Sequence, residues 1–408
     1  MSLEFTKLVD QIKTMGRYYS HLDASLSSRI ELALAWFYSH TTLDPINERI
    51  QLVRRSVSGY RGAASPEHVQ EIICGVGDPD DAPTTSTILA VDGSQVYPDL
   101  HASALYYLLN IGAFTFYHGQ LRIPEQFTIP ELFYAPTEIE DRDGRAITNQ
   151  TVNARRSVLE MEWLANLAWD LRDEQRPLIA FHDGSLLKFF GATEVADAGK
   201  LEARYLTALN KLRDSGAVLA GYLDKSRSAN VISLLHLMSL PEDQVDDAHV
   251  KTNGQLEGLI DAMLFYHVLE RGQRSAIMTP NSPQNLAYKR QDDTTGDLEI
   301  CFFYLNVSDS AKPNIVRVEI PMWVARQPQA VAALHSLILI QCAAQGRKRY
   351  PYVLTRADEL AYVSSIEKQQ LDEILRVEMM RNQLSPETST KLQSKSLARS
   401  HKRQHRLG

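Results

Sequence analysis

Two short segments of this chain each place an aspartate at the end of a mostly apolar run. The first reads ILAVDGS and contains Asp92, and the second reads LIAFHDGS and contains Asp183. Apolar runs of this length predict buried strands, and we expect the first strand to turn sharply after Val91. Each carboxylate would then emerge at the C-terminal edge of its strand, where open α/β sheets bind their ligands.

Two carboxylates on adjacent strands repel each other unless a cation lies between them. A hard divalent metal ion is their natural partner, because such ions prefer oxygen ligands. A single Asp-Gly-Ser segment is more often a simple turn, since glycine permits a tight reversal of the chain. The repetition of the pattern leaves a turn and a metal site as two about equally supported alternatives.

A third ligand is expected from the helix predicted by the Gly- and Pro-free segment 149–172. Glu160 shares a helical face with Leu164 and Leu171, and a glutamate on an apolar face costs free energy unless something pairs with it. Glu162 points roughly the other way and is expected in solvent, although a shift of register would exchange the two. Asp on a strand, Glu on a helix and Asp on a second strand is the arrangement of ribonuclease-H-like nucleases, which use two metal ions about 3.5–4 Å apart.

Further side chains could contact a phosphate or DNA. Lys225 follows a third apolar segment, AVLAGYLDKS, and could either neutralise a phosphate or form only a surface salt bridge. Glu319 is flanked by apolar strand residues, and an outward-facing strand charge is the favoured interpretation. A basic run with Tyr350 beside it combines cations and an aromatic ring, as single-strand DNA grooves do. This run consists of Arg347, Lys348 and Arg349.

Strand-like and helix-like segments alternate around these residues, which predicts an α/β fold with at least part of its sheet parallel. Residues 1 to about 60 are predicted to be helical, and the Gly-, Pro- and Asp-rich stretch 75–87 is typical of a linker. Two β-rich segments joined by DSAKP predict a hairpin, followed by a helix near 328–345.

The predicted organisation has three parts. An N-terminal helical segment and linker (1–84) precedes a nuclease-like α/β domain (85–384) with a ribonuclease-H-like core, a mixed sheet and a C-terminal helical segment. The last part, 385–408, is a basic tail that is expected to be disordered.

Composition excludes several classes of function. The net charge of −7 argues against a protein that coats nucleic acid with its whole surface, but it permits a local basic groove. The three cysteines are far apart and predict neither a disulfide framework nor a zinc site. The sequence has no ATP-binding GxxxxGK[ST] loop, no GxSxG elbow and no HExxH helix. Since no secretory signal or membrane span is visible, we expect a cytoplasmic protein.

The order of the motifs resembles that of the NurA nucleases. The matching segments are AVDGS, RRSVLE, FHDGSLL, GYLDKS, VRVEIP and YPYVLTRADELA, across roughly residues 85–370. The resemblance implies a ribonuclease-H-like core that degrades DNA with manganese, with magnesium as an alternative. It also implies a ring-shaped homodimer that acts with a hexameric HerA-like helicase/translocase on DNA ends.

The resemblance also assigns residues. The family's ligands and its lysine fall on Asp92, Glu160, Asp183 and Lys225. Glu162 is the competing alignment for the helical glutamate. Asp358 stands where the family often has a histidine. A carboxylate there could still bind a metal ion, but it could not act as a neutral nitrogen ligand.

The combined prediction is a metal-dependent endonuclease and 5′–3′ exonuclease that acts on single-stranded DNA and processes DNA ends with a HerA-like ATPase. One alternative is a catalytically weak or inactive DNA clamp or regulatory subunit of that ATPase, which the aspartate at 358 favours. A second is a carboxylate hydrolase such as a glycosidase, which should be indifferent to chelators.

Overall fold

The computed structural model describes residues 4–57, 59–99, 104–141, 144–291 and 296–383. Its strands are β1 (Ala63–Ala64), β2 (Val76–Gly77), β3 (Ser86–Val96), β4 (Tyr107–His118), β5 (Glu125–Phe133), β6 (Leu178–Asp183), β7 (Val218–Leu223), β8 (Arg274–Ser275), β9 (Thr279–Pro280), β10 (Ile300–Asn306) and β11 (Ile315–Pro321).

Its α-helices include the four-residue turns α3, α7 and α10. They are α1 (Val9–Ser39), α2 (Asp44–Ser56), α3 (Pro136–Ile139), α4 (Asn149–Asp170), α5 (Ala198–Asp214), α6 (Asn230–Ser239), α7 (Asp247–Val250), α8 (Asp261–Val268), α9 (Pro283–Arg290), α10 (Met322–Ala325), α11 (Pro328–Ala344), α12 (Tyr352–Ala361) and α13 (Ser365–Arg381). Among the described helices, none is both long and apolar enough to cross a membrane.

The described residues form two compact units, each assembled from separate stretches of the chain. The first unit takes its residues from 1–83, 184–187 and 218–351. The second unit takes its residues from 84–183, 188–217 and 352–383.

In the second unit the strand order is β6-β3-β4-β5. β3, β4 and β5 form an antiparallel meander, and β6 lies parallel to β3. The helix α4 lies between β5 and β6 in the chain, as a parallel crossover requires. A meander followed by a helix and a strand parallel to its first strand is the arrangement expected of a ribonuclease-H-like core. The predicted α/β class with a mixed sheet is confirmed.

The predicted turn after Val91 is wrong. β3 runs on to Val96 and pairs with β4 along its whole length, with Asp92 opposite Gly112. The hydrogen bonds of β4 satisfy the backbone of the Asp-Gly-Ser segment, so the segment stays extended although its residue types favour turns. Asp92 therefore lies within a long strand, whereas Asp183 is the last residue of its strand, as predicted.

Two helices pack against the sheet of the second unit. α4, confirmed close to its predicted bounds, starts at the N-cap Thr148, whose hydroxyl accepts a hydrogen bond from the Thr151 amide at 3.1 Å. α12 packs on β3 and β4. A Cβ atom at Gly112 would lie 2.4 Å from the Ala357 carbonyl oxygen and the Ala361 nitrogen. Only glycine allows this approach, because any larger residue would displace the helix backbone.

The first unit combines an antiparallel sheet with a helical layer. Its strand order is β2-β8-β10-β11-β7, and the predicted hairpin is confirmed as β10 and β11. The predicted N-terminal helices are α1 and α2, and α1 buries Ile30, Ala33 and Phe37 in the core of this unit. The predicted linker contains the short strand β2. The predicted basic tail at 385–408 lies outside the described residues.

Candidate carboxylate site

Asp92 and Asp183 lie on the neighbouring parallel strands β3 and β6. The last registered pair of these strands is Val91 with His182, so the two aspartates follow it at the same level. Side chains at the same level of parallel strands point to the same face of a sheet. Asp183 is exposed and Asp92 is half-buried. The sheet therefore holds the two predicted carboxylates side by side at one face.

The surroundings of the Asp92 carboxyl group disfavour its charged form. Its pKa is raised to about 6, chiefly by burial and also by the charges of Asp183 and Asp358. The Gly93 amide, which donates a hydrogen bond to Asp92 Oδ1 at 2.8 Å, opposes this shift together with the charge of Arg156. Asp358, on α12, is thus close enough to act on Asp92.

Glu160, on α4, is only 5% exposed. Its pKa is raised to about 8, chiefly by burial; the charges of Asp92 and Asp183 add to this rise, and those of Arg156 and Lys188 oppose it. Glu160 is therefore buried, as its predicted place on the apolar face of the helix indicated. All three predicted ligands therefore interact electrostatically within the second unit.

The Glu160 carboxylate lies directly over Gly93. A Cβ atom at Gly93 would be 2.7 Å from Glu160 Oε1 and 3.0 Å from Arg156 Cγ. Arg156 donates a hydrogen bond to the Gly93 carbonyl oxygen at 2.7 Å, and its Nε lies 3.5 Å from Glu160 Oε1. Within the described residues, this buried Oε1 atom accepts no hydrogen bond. An ion-pair contact alone leaves a buried carboxylate oxygen poorly compensated.

The carboxylates approach the sheet from different sides. Gly93 faces α4 and Glu160, and strand alternation directs the neighbouring Asp92 to the opposite face. Among the residues that the structure describes, no three His, Cys, Asp or Glu side chains are placed so that they could share a metal ion. The oxygen donors are of the kind that a hard divalent cation prefers, and they would have to draw together to share one.

Glu162, the competing ligand, belongs to a surface ion pair. Its two carboxylate oxygens accept hydrogen bonds from Arg204 Nε and Nη2 at 2.8 and 2.6 Å. Its side chain is 26% exposed, whereas that of Glu160 is 6% exposed. The structure thus separates the two glutamates as the helical face predicted.

The prediction that Glu319 faces outward is wrong. Glu319 is buried in the first unit and accepts hydrogen bonds from Ser185 Oγ at 2.8 Å, the Leu186 amide at 2.9 Å and Arg317 Nε at 3.0 Å. Apolar residues on either side of Glu319 suggested a strand with one buried and one exposed face. The prediction failed because β11 is buried on both faces.

The remaining candidates belong to the first unit and differ in exposure and in the contacts of their side chains. Lys225 is exposed in the turn after β7, and Tyr350 packs edge-to-face on Tyr222 with ring centroids 5.0 Å apart. Arg349 is paired with Asp309, and its side chain is 13% exposed. Of the predicted basic run, the exposed members are Arg347 and Lys348.

Three charged or polar residues near the carboxylates escaped the sequence-based prediction. Arg156 precedes Glu160 by one helical turn, a spacing that could have suggested it. The charge of Lys188 opposes the raised pKa of Glu160. His182 is 1% exposed, its Nε2 has no hydrogen-bond partner among the described residues, and burial lowers its pKa well below the ordinary value. For Lys188 and His182 the only sequence signal is their nearness to Asp183.

Comparison with known proteins supports the resemblance seen in the motifs. The NurA domain model matches residues 86–363. The crystal structure of the NurA nuclease from Sulfolobus solfataricus aligns with a TM-score of 0.52 at 10% identity, over 92% of this chain and 98% of that one. A structure of NurA bound to dAMP and manganese aligns with a TM-score of 0.39 at 14% identity, over 90% of this chain and 96% of that one. No curated protein matched the sequence.

Proposed function

Because this chain belongs to the NurA family of nucleases, we propose that it hydrolyses phosphodiester bonds of DNA at Asp92, Glu160 and Asp183. The observation that carries the proposal is the Glu160 carboxylate, which is buried beside like charges and has an oxygen that accepts no hydrogen bond from the described residues. Fold stability alone does not account for a cluster of this kind, whereas binding of a cation and a phosphate does.

The proposed cofactor is Mn²⁺, with Mg²⁺ as an alternative. Asp92, Asp183 and Glu160 would hold it, and Asp358 is a possible fourth ligand in place of the family's histidine. When bound, such a cation lowers the pKa of water and offsets charge on the phosphate. The raised pKa values of Asp92 and Glu160 mean that a cation would also stabilise their charged forms.

Other side chains would position these groups. Arg156 links the Gly93 backbone to Glu160 and would orient the carboxylate. Lys225 is exposed, as a side chain that contacts phosphate must be. For DNA beyond the scissile bond, Arg347 and Lys348 are the proposed contacts, while Arg349 would first have to leave Asp309.

The finer details are proposed from the family resemblance. They are cleavage of single-stranded DNA both internally and from 5′ ends, a homodimer, and a HerA-like hexameric ATPase as partner in a cytoplasmic pathway. The alternative, an inactive DNA clamp or regulatory subunit of that ATPase, is favoured by the carboxylate at Asp358 in place of a histidine.

The test is cleavage of end-labelled single-stranded DNA with manganese, with magnesium and with a chelator. Asp92→Ala and Asp183→Ala should each lower the cleavage rate at least about a hundredfold, the scale at which one electrostatic group supports catalysis. Glu162→Ala is the matched control, because it removes a carboxylate of the same helix that is paired with Arg204. It should cut like wild type.

Thermal unfolding provides a readout that does not depend on activity. Manganese at about a hundred times its Kd should stabilise the wild type by about 2.7 kcal/mol and stabilise the Asp92→Ala variant much less. If Asp92→Ala and Asp183→Ala cut as fast as wild type, the assignment of the site would be wrong. A protein that does not cut with any cation, even with its ATPase added, would favour the clamp.

A further inference from the structure

The segment that follows Asp183 presents a cation and an aromatic ring next to each other. Lys188 and Phe189 are successive residues of the second unit, and Phe189 is 79% exposed. A single exposed apolar side chain is ordinary on a protein surface. Phe189 differs from such a residue because its segment is anchored to the fold and carries a cation near the carboxylate site.

The segment is anchored by the next residue. The ring of Phe190 packs edge-to-face on Tyr205 of α5, with centroids 6.1 Å apart and planes at 69°. Tyr205 is fully buried. Of two adjacent phenylalanines, one is therefore held against the fold while the other remains in solvent. Such an arrangement fixes the backbone beneath Phe189 and limits the entropy that its ring would lose on binding a ligand.

Lys188 connects this segment with the carboxylate site. Its charge acts on both Glu160 and His182. The ammonium group is therefore within electrostatic reach of the buried glutamate. A cation beside a group of carboxylates can hold a phosphate that would otherwise be repelled by them.

We propose that Lys188 and Phe189 bind an unpaired nucleotide beside the carboxylate site, with the ammonium group at the phosphate and the ring against the base. The inference rests on the proposed nuclease function and specifies its substrate. An aromatic ring can stack on a base of any identity, but only where that base is not already stacked within a duplex. The pair would therefore select single strands and frayed ends without selecting a sequence.

The test is direct binding of single-stranded oligonucleotides to the full chain in chelator, where no cleavage is expected. One probe carries 2-aminopurine, whose fluorescence falls when an aromatic ring stacks on it, and anisotropy of a labelled strand gives the affinity. Phe189→Ala should weaken binding about 5- to 150-fold and abolish the fluorescence change. Phe189→Trp should retain both. Lys188→Ala should weaken binding and reduce the slope of log K against log salt by about 0.7, the value for one phosphate of a single strand.

Tyr134→Ala is the matched control, because Tyr134 is an aromatic residue of the same unit that is 68% exposed and follows β5. It should bind like wild type. The inference is overturned if Phe189→Ala binds and quenches like wild type, or if wild type binds duplex and single strand equally. It is also overturned if Phe189→Ala abolishes only self-association, which would assign the ring to a protein contact.

The two proposals can fail separately. A protein that cuts DNA with manganese but whose binding ignores Phe189 keeps its proposed function and loses this inference. A protein that stacks the 2-aminopurine base through Phe189 but never cuts loses the nuclease proposal and keeps the nucleotide site.

Discussion

The two units each bury acidic side chains, but they compensate them differently. In the first unit, Glu319 accepts three hydrogen bonds, and Asp261 accepts hydrogen bonds from the amides of Val231 and Ile232 and from the Tyr304 hydroxyl. In the second unit, one oxygen of the buried Glu160 accepts none from the described residues. A buried acid whose oxygens accept hydrogen bonds is compensated and stabilises the fold. A buried acid with an oxygen that accepts none is uncompensated and is a candidate for binding a ligand.

The pKa values express the same contrast. Burial raises the pKa of Asp261 from 3.8 to about 6 and that of Glu160 from 4.5 to about 8. Two amides, a hydroxyl and the charge of Arg317 limit the shift of Asp261. At Glu160 the opposing charges come from Arg156 and Lys188, while Asp92 and Asp183 add to the shift.

The largest effect on stability is expected from breaking the compensated cluster. Glu319→Ala leaves Arg317, whose side chain is 3% exposed, as an unpaired buried charge. We expect a loss of about 3–5 kcal/mol in the free energy of unfolding, measured by urea denaturation. Glu162→Ala, which opens a surface ion pair, should cost no more than about 1 kcal/mol.

A double variant sharpens this prediction. Arg317→Met combined with Glu319→Leu removes both charges, and it should be less destabilised than Glu319→Ala alone. Equal losses in the Glu319→Ala and Glu162→Ala proteins would contradict the contrast between a buried pair and a surface pair.

A smaller effect is expected at Gly93 of the second unit, where Glu160 of α4 packs against β3. Gly93→Ala places a methyl group 2.7 Å from Glu160 Oε1 and 3.0 Å from Ile111 Cδ1. Overpacking of this kind costs about 1–3 kcal/mol. Because the methyl group also displaces the Glu160 carboxylate, cleavage should fall further than the loss of stability explains, as compared at a temperature where both proteins are folded.

Gly199→Ala is the control for this substitution. Nothing lies within 4 Å of a Cβ atom at Gly199, a residue of α5, so alanine should leave stability unchanged or raise it by up to about 1 kcal/mol. A Gly93→Ala protein as stable and active as wild type would show that Glu160 does not depend on its contact with β3.

Neutralising Glu160 is expected to have an effect on stability that grows with pH. The pKa of Glu160 in the folded protein is about 8, above its ordinary 4.5, so wild type without metal loses stability as the pH rises through this range. Glu160→Gln does not titrate there. Between pH 4.5 and 8 it should gain at least about 1.4 kcal/mol relative to wild type, measured by denaturation in chelator. If the free energies of unfolding of wild type and Glu160→Gln changed with pH in parallel, Glu160 would not have a raised pKa in the folded protein.

Much of this architecture could be predicted from local patterns. The Gly- and Pro-free segment gave α4, the face shared with Leu164 separated Glu160 from Glu162, and the apolar run before Asp183 gave a strand that ends there. These features depend on residues within one or two helical turns or one strand, so periodicity is sufficient to find them.

The errors came from long-range packing. At Asp92 the residue types favoured a turn, but the partner strand β4 kept the segment extended. At Glu319 a strand buried on both faces turned an expected surface charge into a buried ion pair with Arg317. The place of Lys188 beside Glu160 depends on the path of the chain after β6, which no periodic pattern encodes.

The way α12 lies over Gly112 has a consequence for synthesis. The carboxylates come from β3, α4 and β6, but the helix that covers β3 and β4 is made only after the whole 218–351 stretch of the first unit has been translated. A nascent chain that already contains Asp92 and Asp183 therefore leaves the ribosome with the sheet uncovered around Gly112. The second unit can close only after α12 has left the ribosome, and ribosome-bound chains stopped with α12 still inside the exit tunnel or already outside it should differ in protease resistance.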